Sequence, residues 1–299
     1  MNHLNNLWIQ RSAWLIAIRP KTLGAAIAPV LIGTAIAISD GLLHLPSCLL
    51  CFLAAILIQI GTNFSNDYFD NLSGADSKRA LGPQRAVSSG LISGKTMLVV
   101  SLVTLILAFA SGVVLMETAG ANRKLLWIGV TSVLFAIGYT GGPFPLAYNG
   151  LGDVFVILFF GFVAVCATHY VLVVGVGGGW QPNWIVPLGV GFSINNLLVV
   201  NNTRDCEEDR LVGKKTSVVL LGRRSGLILY ATGVSVSTLV CPYLDNGIVS
   251  VVWIFPLGLF CLLKLTKAST REDYDRTLRI TATTILAYGS ATVWGLLAS

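Results

Sequence analysis

Two segments of the chain place carboxylate and amide side chains at helical spacing, each where an apolar run ends. These side chains are Asn63, Asn66, Asp67 and Asp70 in the first segment and Asn201, Asp205 and Asp209 in the second. Steps of three and four residues put each set on one face of a helix. Clustered acids repel one another unless a cation lies between them, and Asp and Asn oxygens are suitable ligands for Mg²⁺. The spacing therefore predicts two acidic motifs that hold magnesium ions with a diphosphate between them.

Basic residues accompany both acidic motifs. They are Lys78, Arg79 and Arg85 after the first, and Arg204, Arg210, Lys214 and Lys215 within and after the second. Arg binds phosphate oxygens in a bidentate manner and Lys acts as a point charge. We predict that the residues that contact the diphosphate are Arg79, Arg85, Arg204 and Lys214. The alternative is that both segments are ordinary solvated loops, but acids that recur in matching places at two helix ends favour the metal site.

The elements that position these motifs are apolar and long. Of the 299 residues, 54% are hydrophobic and 11% are charged, whereas soluble domains have about 25% charged residues. The apolar runs are continuous rather than alternating, which indicates membrane helices and not barrel strands. We predict an all-α integral membrane protein with nine spans. The spans are Leu23–Ser39, Ser47–Asn66, Met97–Met116, Leu125–Gly141, Val154–Val176, Trp184–Asn202, Leu227–Val240, Ile248–Leu265 and Leu278–Leu297.

The placement of charge gives the orientation. With nine spans and a cytoplasmic N-terminus, only Arg123 and Lys124 lie outside, which leaves 18 of the 20 basic residues on the cytoplasmic side. The net charge of +6 is then a topology signal and requires no nucleic-acid partner. We expect a multi-pass protein of the cell (inner) membrane, with the bilayer as its solvent and both motif loops in the cytoplasm.

One membrane domain, residues 1–299, accounts for the whole chain, because no linker or low-complexity tract interrupts it. The two long polar loops, roughly Asp67–Thr96 and Thr203–Gly226, have similar layouts and are separated by four spans. This predicts two four-helix halves and a ninth helix, with a site between the halves.

The motif residues Asn66-Asp-x-x-Asp70 and Asp205-x-x-x-Asp209 resemble the two aspartate-rich motifs of the UbiA superfamily of intramembrane prenyltransferases, whose bundle of nine helices the predicted spans also match. The family's longer first motif has another Asp where this chain has Gly74, and Asp76 follows two residues later. The ligand role of Asp76 therefore stays open.

Further strings are similar to the branch of the superfamily that prenylates 1,4-dihydroxy-2-naphthoate. They are Ile18-Arg-Pro-Lys-Thr-Leu23, Gly74-Ala-Asp76, Gly82-Pro-x-Arg85, Tyr139-Thr-Gly-Gly-Pro143, Gly150-Leu-Gly-Asp153, Phe159-Phe-Gly161 and Gly213-Lys-x-Thr216. The resemblance implies a Mg²⁺-dependent transfer of a polyprenyl chain from polyprenyl diphosphate to 1,4-dihydroxy-2-naphthoate, with decarboxylation to demethylmenaquinol in menaquinone biosynthesis.

This resemblance also suggests roles for individual residues. The expected catalytic acids are Asp67, Asp70, Asp205 and Asp209, and together with Asn66 they would hold the metal. Asn63, Tyr139 and Asp153 are expected to face the aromatic substrate or to stabilise an allylic cation.

Two rival functions remain open at the level of sequence. One is a sister enzyme of the same fold that acts on 4-hydroxybenzoate, homogentisate or haem. The other is a transporter of phosphate-bearing lipids, although transporter sites lie near the midplane of the bilayer and the charge here lies at one membrane face.

Overall fold

The computed structural model describes residues 12–76, 82 and 84–298, and its described part is helical throughout except for turns. The long helices are α1 (Pro20–Ser39), α2 (Leu45–Leu72), α3 (Gly94–Thr118), α4 (Leu125–Gly138), α5 (Gly152–Val174), α6 (Ile185–Arg204), α7 (Arg223–Leu244), α8 (Asn246–Lys267) and α9 (Arg271–Ala298). Three short helices lie in the loops at Leu146–Tyr148, Cys206–Leu211 and Ser217–Leu221. Each of the nine predicted spans overlaps one long helix, which confirms the all-α membrane architecture.

The predicted count of nine spans is not confirmed. Among the described residues, eight helices have the length and apolar composition to cross a membrane, and α4 is shorter at 14 residues. At 1.5 Å per residue it extends about 21 Å, against a hydrocarbon core of about 30 Å. The predicted span ran on to Gly141, but the chain turns after Tyr139, where Gly142 has a positive φ of 82° and Pro143 follows.

The packing of the first four long helices recurs in the next four. α1 packs on α2, α2 on α3 and α3 on α4, and likewise α5 packs on α6, α6 on α7 and α7 on α8. The ninth helix packs against α1, α6 and α8, and α1 also contacts α5. This is the arrangement that the two similar loops predicted, namely two four-helix halves joined by a ninth helix.

Helix α5 contains a π-helical segment, Ile157–Val163, where it meets α6. The two backbones approach closely through a pair of glycines. A Cβ on Gly161 would lie 2.4 Å from the Pro187 carbonyl oxygen, and one on Gly191 would lie 2.7 Å from the Ile157 carbonyl oxygen. π-Helical turns are rare and are often found at functional sites. Phe159 and Phe160 of this segment line the interior cavity that is described below.

The two ends of the bundle differ in chemistry. Both acidic motifs lie at one end, because α2 and α6 finish there. Five strongly exposed aromatic residues lie toward the other end, where α4, α6 and α8 begin and α7 and α9 finish. They are Trp127, Trp184, Tyr243, Trp253 and Trp294. Tyr and Trp concentrate at membrane interfaces, so this end of the helices is placed at a lipid headgroup layer and the motifs at the opposite layer.

Candidate active site

The first motif lies on the last two turns of α2, which continues past the apolar run to Leu72. Asp67 is fully buried and accepts hydrogen bonds from the backbone N–H groups of Ala86 and Val87, both at 3.2 Å. The loop that follows the motif is therefore folded back onto its own helix. Asn66, one residue earlier, accepts a 2.8 Å hydrogen bond at Oδ1 from the Thr140 hydroxyl.

Asn63 begins the same stripe but has different contacts. Its amide nitrogen donates to the Ile18 carbonyl oxygen at 2.8 Å and to the Thr22 hydroxyl at 3.0 Å, and its oxygen accepts from Gln59. Asn63 thus connects α2 to the start of α1, just after the left-handed turn at Arg19 (φ 54°). The polar face predicted for this segment is therefore present on α2, and Asn63, its first residue, connects α2 to α1.

The second motif spans the end of α6 and the short helix Cys206–Leu211, with a break between them at Asp205. The sequence predicted one unbroken helical face from Asn201 to Asp209. The i+4 backbone bonds continue across the break, from Asp205 N–H to Asn201 and from Asp209 N–H to Asp205. The three side chains therefore keep their relative order, but Asp205 itself leaves helical geometry.

Each acid of the second motif is paired with a basic residue predicted to bind diphosphate. The guanidinium of Arg204 donates to both carboxylate oxygens of Asp205, at 2.5 and 2.9 Å, and both side chains are buried. The Lys214 ammonium lies 3.4 Å from Asp209 Oδ1. Gly213 has a φ of 74°, a left-handed conformation that turns the chain so that Lys214 returns to Asp209.

Tyr148, in the loop between α4 and α5, joins the two motifs. Its hydroxyl donates to Asp70 Oδ1 at 2.9 Å, and the Lys214 ammonium lies 5.2 Å from its ring centroid. Its backbone carbonyl accepts from Lys215 N–H at 3.0 Å. A continuous series of contacts therefore runs from Asp70 through Tyr148 and Lys214 to Asp209. The acidic clusters meet at one end of the bundle.

The remaining basic residues predicted to bind diphosphate belong to the loop after α2. Arg85 Nε lies 3.4 Å from Asp76 Oδ1, and the Asp76 side chain is fully buried. Arg79, with its neighbour Lys78, lies outside the residues that the structure describes. Arg204 and Lys214 thus each face a predicted metal ligand, and Arg85 faces Asp76, whose ligand role the sequence left open.

Tyr139 and Asp153 lie on either side of the loop that carries Tyr148. Tyr139 is close enough to Asp70, Asp153 and Asp209 to experience the charge of all three. The Asp153 carboxylate accepts from the Asn195 amide at 3.0 Å and from the Ser217 hydroxyl at 2.5 Å. Asp153 therefore connects α5 and α6 to the loop after the second motif, at the edge of the cluster.

An apolar cavity of about 410 Å³ opens next to this cluster, among α1 to α6. Its polar end is lined by Asn63, Asn66, Tyr139 and Asn201, and the rest of its wall is largely aliphatic and aromatic. Along α2 the wall runs from Cys51 to Asn66, which is about 22 Å at the helical rise. Such a cavity fits a long hydrocarbon chain whose polar head lies at the acidic motifs.

Whether the residues fit a metal ion follows from their chemistry. Within the described ranges, no three His, Cys, Asp or Glu side chains converge closely enough to hold a metal by themselves. Mg²⁺ commonly takes only one or two carboxylates and completes its shell with water and phosphate oxygens. Asp70, Asp209 and the Asn66 amide are buried hard-oxygen donors of this kind. The donor set fits magnesium that arrives together with a diphosphate.

Sequence reasoning missed Tyr148 and Thr140, which contact Asp70 and Asn66. Thr140 lies inside the Tyr139–Pro143 string, and Tyr148 lies between that string and Gly150–Asp153. The two strings were therefore the available signal. They mark this loop as part of the site, but they do not show which hydroxyl contacts which motif residue.

Comparison with known proteins shows the following similarities. A sequence model of the UbiA prenyltransferase family matches residues 26–293. A 1,4-dihydroxy-2-naphthoate octaprenyltransferase of Escherichia coli (strain K12) is 34% identical over 87% of this chain and 85% of its own length. A protein of the same description from Mycobacterium leprae is 32% identical, with 95% of each chain covered. A UbiA homolog from Aeropyrum pernix K1 shares the fold with a TM-score of 0.65 at 16% identity, over 89% of this chain and 96% of that one. Another from Archaeoglobus fulgidus, bound to GPP and Mg²⁺, has a TM-score of 0.58 at 18% identity, over 94% and 99%.

Proposed function

Because the chain belongs to the UbiA prenyltransferase family, we propose that it transfers a polyprenyl chain from polyprenyl diphosphate to 1,4-dihydroxy-2-naphthoate. The products are demethylmenaquinol, diphosphate and carbon dioxide, and the reaction belongs to menaquinone biosynthesis. Relatives described as 1,4-dihydroxy-2-naphthoate octaprenyltransferases, 32–34% identical over most of the chain, support this acceptor. We treat residues 1–299 as one catalytic membrane domain.

The observation that carries the proposal is the series Asp70–Tyr148–Lys214–Asp209 beside the polar end of the apolar cavity. A polyprenyl diphosphate has the same two parts, a long hydrocarbon tail and a compact anionic head. The tail would lie along the cavity wall between α1 and α6. The head would lie against the two motifs.

Magnesium would be held by oxygens from both motifs. The ligands we propose are Asn66, Asp67, Asp70, Asp205 and Asp209. Bound there, Mg²⁺ would neutralise the negative charge that develops on the leaving diphosphate. Asp67 already accepts two backbone N–H bonds, but each carboxylate oxygen has a second lone pair for a metal.

We propose that Arg85, Arg204 and Lys214 bind the diphosphate. For Arg79 the same role is proposed from the sequence. Each of the first three faces a carboxylate in the structure. When the head group binds, these cations would turn from carboxylate to phosphate oxygens, and Asp205 and Asp209 would turn toward the metal. Buried guanidinium–phosphate contacts are strong because they are bidentate and charge-assisted.

Loss of diphosphate leaves an allylic cation on the prenyl chain. The electron-rich ring carbon that carries the carboxylate of the acceptor attacks this cation, and loss of the carboxylate as carbon dioxide restores the aromatic ring. We propose that Asn63 and Tyr139, at the polar end of the cavity, lie against the ring or the cation. An aromatic face stabilises a cation, and an apolar cavity protects it from water. Asp153 would orient the acceptor hydroxyl while Asn195 and Ser217 hold its carboxylate in place.

The motifs would face the cytoplasm of the cell (inner) membrane. Support comes from the sequence, because the predicted topology puts 18 of the 20 basic residues, all but Arg123 and Lys124, in segments on the side of the motifs.

The test is transfer by the purified protein in detergent or vesicles, with a prenyl diphosphate and either 1,4-dihydroxy-2-naphthoate or 4-hydroxybenzoate. We expect a prenylated, decarboxylated naphthoate product by mass spectrometry, and we expect EDTA to abolish it. Asp70→Asn is the matched inactive control. Product only from 4-hydroxybenzoate would overturn the acceptor, and undiminished turnover in EDTA would overturn the metal.

A further inference from the structure

Tyr148 makes three contacts that join separate parts of the site. Its hydroxyl donates to Asp70 Oδ1 at 2.9 Å and also lies 2.8 Å from the hydroxyl of Ser73. Its ring lies beneath the Lys214 ammonium at 5.2 Å. Its carbonyl oxygen accepts from Lys215 N–H, and the next residue, Asn149, forms a short parallel bridge with Lys215. One residue thus touches the end of α2 and the loop after α6.

The chemistry of these contacts suits a group that orients other groups and does not itself react. A phenol hydroxyl is a hydrogen-bond donor, and this one donates to Asp70 Oδ1 in the structure. A donated hydrogen bond restricts which lone pairs of the carboxylate face a metal, and such outer contacts commonly alter metal affinity by about 10- to 100-fold.

We propose that Tyr148 is a positioning residue that sets the geometry between the two motifs, an inference that rests on the proposed prenyl transfer. Its hydroxyl orients Asp70 as a metal ligand, and its ring holds Lys214 where the ammonium can pass from Asp209 to a phosphate oxygen. The two functions reside in different atoms of one side chain, so two substitutions separate them.

Tyr148→Phe removes only the hydroxyl. It keeps the ring under Lys214 and the backbone bond to Lys215. We expect the Mn²⁺ or Mg²⁺ concentration for half-saturation to rise about 10- to 100-fold, with the KM for prenyl diphosphate at saturating metal changed less than about twofold. Tyr148→Leu also removes the ring, so we expect the KM for prenyl diphosphate to rise as well.

The readout besides turnover is Mn²⁺ binding to the purified protein in the presence of inorganic pyrophosphate, measured by calorimetry. Tyr170→Phe is the matched control, because the Tyr170 hydroxyl accepts from the backbone N–H of Asn122, at the opposite end of the bundle from the motifs. It should bind Mn²⁺ like the wild type. Should Tyr148→Phe fail to fold, Ser73→Ala disturbs the same hydroxyl from its other side, and a smaller weakening in the same direction is expected.

Three results would overturn the inference. Mn²⁺ affinity in Tyr148→Phe equal to the wild type would reject the hydroxyl's role while leaving prenyl transfer intact. An equal loss in Tyr170→Phe would show a general loss of packing. Absence of any Mn²⁺ binding by wild-type protein that still transfers prenyl groups would overturn both this inference and the proposed magnesium site.

Discussion

Asp67 and Asp205, the first acids of the two motifs, lie near the ends of similar helices but accept hydrogen bonds from different kinds of donor. Asp67 accepts from two backbone amides of its own loop, whereas Asp205 accepts from the guanidinium of Arg204. The following acid of the second motif, Asp209, also faces a cation, Lys214. The two backbone amides that donate to Asp67 hold the loop after the motif against α2. The cations beside Asp205 and Asp209 balance the charge of these carboxylates. In the proposed reaction this lasts until the cations bind a phosphate.

The difference indicates a division of labour between the motifs. The first motif ties its loop to α2 through the backbone, whether or not substrate is present. In the proposed reaction the second motif would couple metal binding to substrate binding, because its cations would exchange a carboxylate for a phosphate when the diphosphate binds. The predictions that follow test this division.

The largest effect should come from one metal ligand in each motif, since the chemistry needs both. Asp70→Ala and Asp209→Ala should each lower kcat/KM by about 10³-fold, the scale for loss of a group that stabilises developing charge. Product formation at saturating Mg²⁺ measures the effect. Size-exclusion chromatography and thermal melting check that each variant still folds. More than a tenth of wild-type activity in one variant alone would show that only one motif is catalytic.

Stability of the metal-free protein should separate Asp205 from Asp67. Asp205→Ala leaves a buried guanidinium without its partner carboxylate, which typically costs about 3–5 kcal/mol. Asp67→Ala leaves two buried amides without an acceptor, at about 1–3 kcal/mol for each unsatisfied group. Together the two amides make that cost about 2–6 kcal/mol, so both variants should melt well below the wild type in detergent. The two acids are separated by whether a second substitution restores the stability.

A double variant separates the two acids. Arg204→Met with Asp205→Leu removes both charges and should recover much of the stability lost in Asp205→Ala, because replacing a buried ion pair with apolar side chains is often neutral or stabilising. No such second substitution removes the backbone amides that Asp67 holds. If the double variant melts as low as Asp205→Ala, the loss at Asp205 does not come from an unpaired guanidinium, and the contrast between the motifs is wrong.

Binding experiments should show coupling between metal and diphosphate that depends on the second motif. Pyrophosphate should raise the affinity for Mn²⁺ by about 5- to 150-fold, the usual range for coupled sites. Lys214→Gln should reduce this factor, because the Lys214 ammonium that faces Asp209 at 3.4 Å could no longer exchange the carboxylate for a phosphate. Lys215→Gln, an exposed neighbour, is the matched control and should preserve it. An unchanged coupling factor in Lys214→Gln would place the exchange elsewhere.

Much of this arrangement was predictable from the sequence, because membrane helices are specified by local composition. The apolar runs gave the helices, and the i, i+4 steps gave the stripe on α2. The error at α4 arose because apolar residues continue to Gly141 while backbone geometry at Gly142 and Pro143 ends the helix earlier. The composition of a segment shows that it lies in the membrane. The residue at which its helix ends depends on the backbone geometry of two or three residues at the turn.

Contacts between distant segments were not predictable in the same way. Arg204 and Lys214 were identified as cations near phosphate, but their present pairing with Asp205 and Asp209 depends on side-chain direction. The hydrogen bond from Tyr148 to Asp70 joins residues 78 positions apart. No periodicity within either segment specifies that contact. It follows only from how the loop between α4 and α5 lies across the end of α2.

The smallest effect should come from a charge pair of the same loop that faces water. Arg210 lies 2.8 Å from Glu207, one turn along the short helix that carries Asp209, and about half or more of each side chain is exposed. Solvent screens such a pair, and exposed pairs contribute about 0–1 kcal/mol. Glu207→Gln should therefore leave activity within about twofold, with metal–pyrophosphate coupling unchanged. If it instead weakened coupling as much as Lys214→Gln, the total charge of the loop would govern binding, and the specific exchange of partners at Asp205 and Asp209 would not be needed.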